Sequence, residues 1–93
     1  TDSAYQSAHV EQTIQRTVST TLQQENNDIK LLESRFEYPD YIFYRYPSSI
    51  LLSLGGPSGE LPPDLAAQLQ KNIRSETGQV INIQLRYMVL QEP

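Results

Sequence analysis

The chain has 93 residues, with seven Lys and Arg set against eleven Asp and Glu for a net charge of -4, and no cysteine. That length holds one hydrophobic core and not two. The missing cysteines exclude disulfides, thiolate metal sites and thiol nucleophiles, while the acidic balance argues against a nucleic-acid backbone or anionic lipid as the main partner. No apolar run approaches the ~20 residues a bilayer-crossing helix requires, and no basic-then-apolar start reads as a signal peptide.

Residues 1–28 are rich in Ser, Thr, Gln and Asn, and Val10, Ile14, Val18 and Leu22 recur within them every four residues. That spacing sets one apolar stripe along a helix, expected over 8–24, with residues 1–7 as a flexible lead. The stripe is narrow and threonine is a modest helix former, so this helix needs a surface to dock on. Residues 29–38 then change period. Leu32, Ser34, Phe36 and Tyr38 fall on one side and Glu33, Arg35 and Glu37 on the other, the pattern of a half-buried strand. After the turn at Pro39 and Asp40, the aromatic segment 41–46 favours extended backbone until Pro47 ends it.

Residues 49–54 are a short apolar run of strand length, closed by Gly55, Gly56 and Pro57. Pro62 and Pro63 suit a first helical turn, and Leu65, Leu69 and Ile73 make the stripe of a helix over 63–77 that Gly78 stops. In 80–90, Ile81, Ile83, Leu85, Tyr87 and Val89 alternate with Asn82, Gln84 and Arg86, which predicts the third strand. The expected core holds Val10, Ile14, Val18, Leu32, Phe36, Leu52, Leu65, Leu69, Ile73, Ile81, Ile83 and Leu85. The fold class that follows is α+β: a single-domain, two-layer α-β-β-α-β sandwich with a three-stranded mixed sheet and two helices on one face. The first two strands run antiparallel and the second and third parallel.

Catalytic and metal chemistry find little footing. His9 stands alone, and Glu11 nearby does not complete a site. Glu33 with Glu37 alternate on a solvent face, and Glu60 with Asp64 read as charges at a helix start. The expectation is no enzyme, no cofactor and no metal. The turn carrying Gly55, Gly56, Ser58 and Gly59 precedes a helix, so an anion or small ligand is one reading of it. It lacks the Lys-Ser/Thr ending of a phosphate loop, and Pro57, Pro62 and Pro63 remove donors, so a plain strand-to-helix turn is the other. Six of the eight aromatics lie within residues 36–46. These rings fill the core, meet a partner or stack on a ligand or nucleic acid, and Tyr41, Tyr44 and Tyr46, with Met88, are the candidate interface.

From Val10 onward, three parts of the chain resemble one family: the polar helix at 10–16, the alternating strand after it, and the ending in which 61–65 leads through a helix to Gly78 and the strand at 80–85. The resemblance is to the soluble C-terminal region of a family of uncharacterised conserved hydrophobic membrane proteins of prokaryotes, a domain of unknown function. It covers about ninety percent of the chain and rests on apolar positions, with no catalytic residue to carry over; the tyrosines of 38–46 depart from it. The element order is also similar to the cytoplasmic domains of cation-efflux transporters, which dimerise and bind metal, but their His/Asp/Cys ligand sets are missing here, so that likeness concerns shape.

The resemblance implies a non-enzymatic accessory domain that helps a multi-pass membrane protein assemble or gates it through subunit packing, held on the cytoplasmic side and not inserted itself. A chain that starts without Met and stops shortly after a strong apolar strand fits a piece of such a parent. The alternative is a regulatory small-ligand module using the glycine turn. The expected partners are other parts or subunits of the parent and, weakly, a second copy of the domain through the uncovered sheet face, where Val80, Met88 and Leu90 add apolar ends.

Overall fold

The computed structural model describes residues 2–25, 28–40, 45–57 and 59–90, the side chains from Ser7 onward. Five elements follow in the order expected: α1 (Asp2–Glu25), β1 (Lys30–Glu37), β2 (Ser49–Gly56), α2 (Leu65–Thr77) and β3 (Asn82–Val89). The three strands form one sheet in the order β1-β2-β3, with β1 antiparallel and β3 parallel to the central β2. Both helices lie on the same face of the sheet, so the protein is a two-layer α+β sandwich whose second sheet face carries no helix among the described residues.

The core forms where the helix stripes meet the inner face of the sheet. Ile14, Val18 and Leu22 from α1 and Leu65, Leu69 and Ile73 from α2 are buried against Ile50, Leu52 and Leu54 of β2, with Ile29 and Ile81 closing the ends. Val10, Phe36, Ile83 and Leu85 pack around this centre half-buried. The central strand therefore supplies three core residues, where the sequence reading named only Leu52. A continuous apolar run such as 50–54 does not announce which of its faces is inner.

Three boundaries differ from expectation. Helix α1 starts at Asp2, ahead of the expected start at residue 8; Ala4, Gln6 and Ala8 are residue types that extend a helix at little cost. Helix α2 begins at Leu65, two residues later than expected, because the N–H of Leu65 donates to the Pro62 carbonyl in a turn ahead of it. Gly78 closes α2 in the left-handed conformation, φ 74°, and its N–H caps the Arg74 carbonyl. A side chain there would carry the steric penalty that glycine avoids.

The third difference is in the strands. Strand β2 runs through Gly55 and Gly56, which the sequence reading placed in a loop. In β1 a bulge interrupts the pairing: Leu31 lies opposite Leu54, but Glu33 lies opposite Ser53, which leaves Leu32 as the extra residue. An inserted residue flips the side-chain alternation behind it. Leu31, Ser34 and Phe36 consequently face the helices, while Leu32, assigned to the core from its spacing, is 47% exposed on the opposite face.

Polar threonines at the helix seam are accommodated locally. The hydroxyls of Thr13, Thr17 and Thr21 donate to the carbonyls of His9, Thr13 and Thr17 at 3.0, 2.8 and 2.8 Å, each one turn back along α1. Thr21 is buried, and its oxygen also accepts from Asn72 Nδ2 at 2.9 Å, tying α1 to α2. At the end of β1, the Tyr38 hydroxyl donates to the Glu11 carboxylate of α1.

Candidate interaction surface

The outer face of the sheet is built in rows by the pairing register. Glu37, Ser49 and Asn82 form the first row, Arg35, Leu51 and Gln84 the second, and Glu33, Ser53 and Arg86 the third. The fourth joins Lys30, Gly55 and Met88. Side chains at these positions point away from the helices because their neighbours in each strand point into the core. The face is polar in its first and third rows, carries half-buried Leu51 at its centre, and becomes apolar at the Gly55 end apart from exposed Lys30 on its β1 edge.

Three features make that apolar end. The β1 bulge turns Leu32 outward. Leu90, just past β3, is held by its N–H donating to the Gly56 carbonyl at 2.8 Å. Both leucines then lie over Gly55: a β-carbon added there would sit 2.9 Å from Leu32 Cδ1 and 2.9 Å from Leu90 Cδ1. Met88 stands beside them at 53% exposure. Leu32, Leu90 and Met88 thus form an exposed apolar group at one end of an otherwise polar sheet face.

Gly56 does the complementary job on the inner face. A β-carbon there would come within 2.6 Å of the Tyr87 hydroxyl and 3.3 Å of the Asp28 carbonyl. The missing side chain leaves room for the Tyr87 ring end, whose buried hydroxyl has no hydrogen-bond partner among the described residues. Gly55 and Gly56, which the sequence reading counted in a ligand turn, are therefore buried strand residues whose smallness admits side chains from both edge strands. Gly59 is exposed, with Val89 Cγ2 4.0 Å from the place of its absent β-carbon. Ser58, the fourth residue of that turn, lies outside the described residues.

Of the candidate interface residues, Met88 is on the outer face as its alternation implied. Tyr46 is half-buried in the connection before β2. Tyr41 and Tyr44 lie outside the described residues. Val80 is highly exposed but does not join the outer sheet face: it lines a hollow beside α2 with Ala67, Gln70, Lys71 and Arg74. It precedes the first residue of β3, so strand alternation does not set its direction. The sequence reading missed Leu32 as a surface residue. A signal was present, since the apolar positions 29 and 31 are out of phase with Phe36, and a period-two pattern can change phase only through an insertion.

Two other features complete the surface. Between α1 and α2 runs a polar groove of about 300 Å³, with Thr13, Arg16, Thr20, Gln24 and Glu76 along it and the Thr21–Asn72 pair joining its walls. Burial, and then hydrogen bonding to Glu11 and the charge of that carboxylate, raise the Tyr38 phenol well above the ordinary tyrosine range; a contact with Ser7 pulls weakly the other way. Among the described residues no helix is long and apolar enough to cross a membrane.

Compared with known proteins, the chain matches no family model, no curated protein and no solved structure.

Proposed function

We propose that this domain is a non-catalytic accessory module of a multi-pass membrane protein, helping its parent assemble or gating it through the packing of neighbouring domains. The observation that carries this reading is the helix-free sheet face with Leu32, Leu90 and Met88 exposed at one end. Apolar side chains gathered on one surface, rimmed by polar rows, mark a contact surface more often than a solvated one. The resemblance of the 10–16 helix and the 61–85 ending to the soluble region of a hydrophobic membrane-protein family supports a membrane-bound parent. On this reading the module sits on the cytoplasmic side and reaches the bilayer only through that parent. Its partners are the parent's other domains and subunits, not nucleic acid.

Sequencing the reading frame around this stretch tests the proposal. Hydrophobic spans of about 20 residues in the same frame agree with it, and a frame without any contradicts it. With the parent in hand, deleting the domain lowers the fraction of assembled oligomer extracted from membranes. An unchanged oligomer with unchanged activity overturns the accessory role.

A further inference from the structure

The uncovered sheet face is complementary to itself. Each charged row carries its charge on one edge and a neutral or opposite group on the other: Glu33 faces Arg86 across Ser53, Arg35 faces Gln84 across Leu51, Glu37 faces Asn82 across Ser49, and Lys30 faces Met88 across Gly55. A two-fold axis lying in the interface and parallel to β2 lays each row over its own reverse. Every β1 residue then meets the β3 residue of the same row in the other copy.

We infer that this face docks a second copy of the same chain in that orientation, with Glu33 of each copy against Arg86 of the other. The symmetry makes the salt bridge twice and sets Arg35 over Gln84 and Glu37 over Asn82, so no like charges are opposed. Leu51 meets Leu51 on the axis, and the apolar ends coincide, with Lys30 and the bulged Leu32 beside it lying over Met88 of the other copy. The competing two-fold, with its axis across the strands, fares worse. It pairs Lys30 with Glu37 and Arg35 with Glu33 of the other copy, exposed ion pairs that contribute little. But it lays the apolar Gly55 end over the polar row of Glu37, Ser49 and Asn82 and leaves Leu32, Leu90 and Met88 without apolar partners. Aligned sheets cross at about -30° and lie about 10 Å apart. At an edge strand roughly 5 Å from the axis, that rotation displaces a side chain by less than half the spacing between rows.

The size of the contact sets its strength. Three strands about 4.8 Å apart and eight residues long present a face that buries on the order of 1,000 Å² in total when two copies meet, below the roughly 1,600 Å² of a standard stable interface. The expected Kd for the free domain is on the order of 10 to 1,000 μM. Tethering in an oligomeric parent raises the local concentration to about the millimolar range, where such a contact is occupied. The inference deepens the assembly role proposed above by naming the partner surface as the domain's own.

Charge reversal tests it in solution. Glu33→Arg and Arg86→Glu both change exposed side chains, so the fold is retained, which circular dichroism confirms. Sedimentation velocity over a concentration series up to about 1 mM reads the association. Each single variant opposes two like pairs across the two-fold, and association weakens by roughly ten-fold or more. The double variant E33R/R86E restores it. A one-to-one mixture of the two single variants also restores it, as heterodimers, because each chain then supplies the charge the other lacks. A wild-type chain that stays monomeric at 1 mM overturns the inference, as does a dimer indifferent to both reversals, which would point to edge-strand pairing instead. The accessory-domain reading is decided separately by the flanking reading frame and the deletion, so failure of one is distinguishable from failure of the other.

Discussion

Leu32 and Leu90 come from opposite edges of the sheet, 58 positions apart in the numbering, and meet over one residue of the central strand, Gly55. Neither contact is local. The β1 bulge turns Leu32 out of the core, and the hydrogen bond from Leu90 to the Gly56 carbonyl holds the chain after β3 alongside β2. The central strand yields at that point by having no side chain. The apolar end of the sheet is thus assembled from three strands by two devices, a bulge and a glycine.

The exposure of Leu32 separates stability from association. Leu32→Ser should leave the unfolding free energy within about 0.5–1 kcal/mol of wild type, since the side chain is already half in water. Leu54→Ala, on the fully buried inner face beside the bulge, should cost about 2–4 kcal/mol through lost burial and a residual cavity. Urea titrations of the two variants check this. Equal losses would mean that Leu32 is a core residue after all.

The two glycines of β2 should respond differently to a methyl group. Gly55→Ala meets only the ends of two exposed leucines, which can swing aside, and should change stability by less than about 1 kcal/mol. Gly56→Ala meets the rigid ring end of Tyr87 at 2.6 Å and a backbone carbonyl at 3.3 Å, so about 1–3 kcal/mol should be lost. Thermal unfolding of the pair reads the order, and the reverse order contradicts the packing described here.

Among the described residues, the buried hydroxyls Ser34 Oγ and Tyr87 Oη have no hydrogen-bond partner. Unpaired buried polar groups carry a desolvation cost with no compensating bond. Ser34→Ala and Tyr87→Phe should therefore be neutral or stabilising, by up to about 1 kcal/mol each. A loss above that size in chemical denaturation would show that these hydroxyls are satisfied in solution.

Tyr38 predicts an alkaline limit to stability. Its phenol is raised above the usual value of 10.0 by burial first, then by the Glu11 carboxylate it donates to. Folding therefore favours the neutral phenol. That contribution is complete below the unfolded value and is lost as pH rises through the higher folded one, so stability declines from about pH 10 upward. A difference titration of phenolate absorbance, wild type against Tyr38→Phe, should isolate a group ionising above the ordinary tyrosine range. Tyr38→Phe should also cost about 1 kcal/mol at neutral pH. A difference curve centred at the ordinary value would contradict the hydrogen bond.

Element types and order were legible because each helix stripe and each outer strand keeps its period for several residues. The 65, 69, 73 stripe of α2 and the alternation of β3 carry their own geometry. What stayed hidden depends on partners distant in sequence. Gly55 and Gly56 read locally as a turn, and only the Leu32, Leu90 and Tyr87 side chains around them explain why a strand continues through both. Met88 was recognisable as an outward residue, whereas the Glu33–Ser53–Arg86 row exists only through the register of three strands. The bulge that sets this register leaves one trace in the sequence, the change of phase between Leu31 and Phe36.

The domain has a single methionine, Met88, so its ε-methyl is one unambiguous resonance on the proposed contact. Mixing chains labelled at the Met methyl with chains labelled at the Leu methyls, at about 1 mM, and recording a filtered nuclear Overhauser spectrum observes only contacts between copies. The face-to-face two-fold predicts a cross-peak between Met88 of one copy and Leu32 of the other, together with a Met88 shift that moves on dilution. A Met88 resonance unmoved by dilution and free of intermolecular cross-peaks would contradict it.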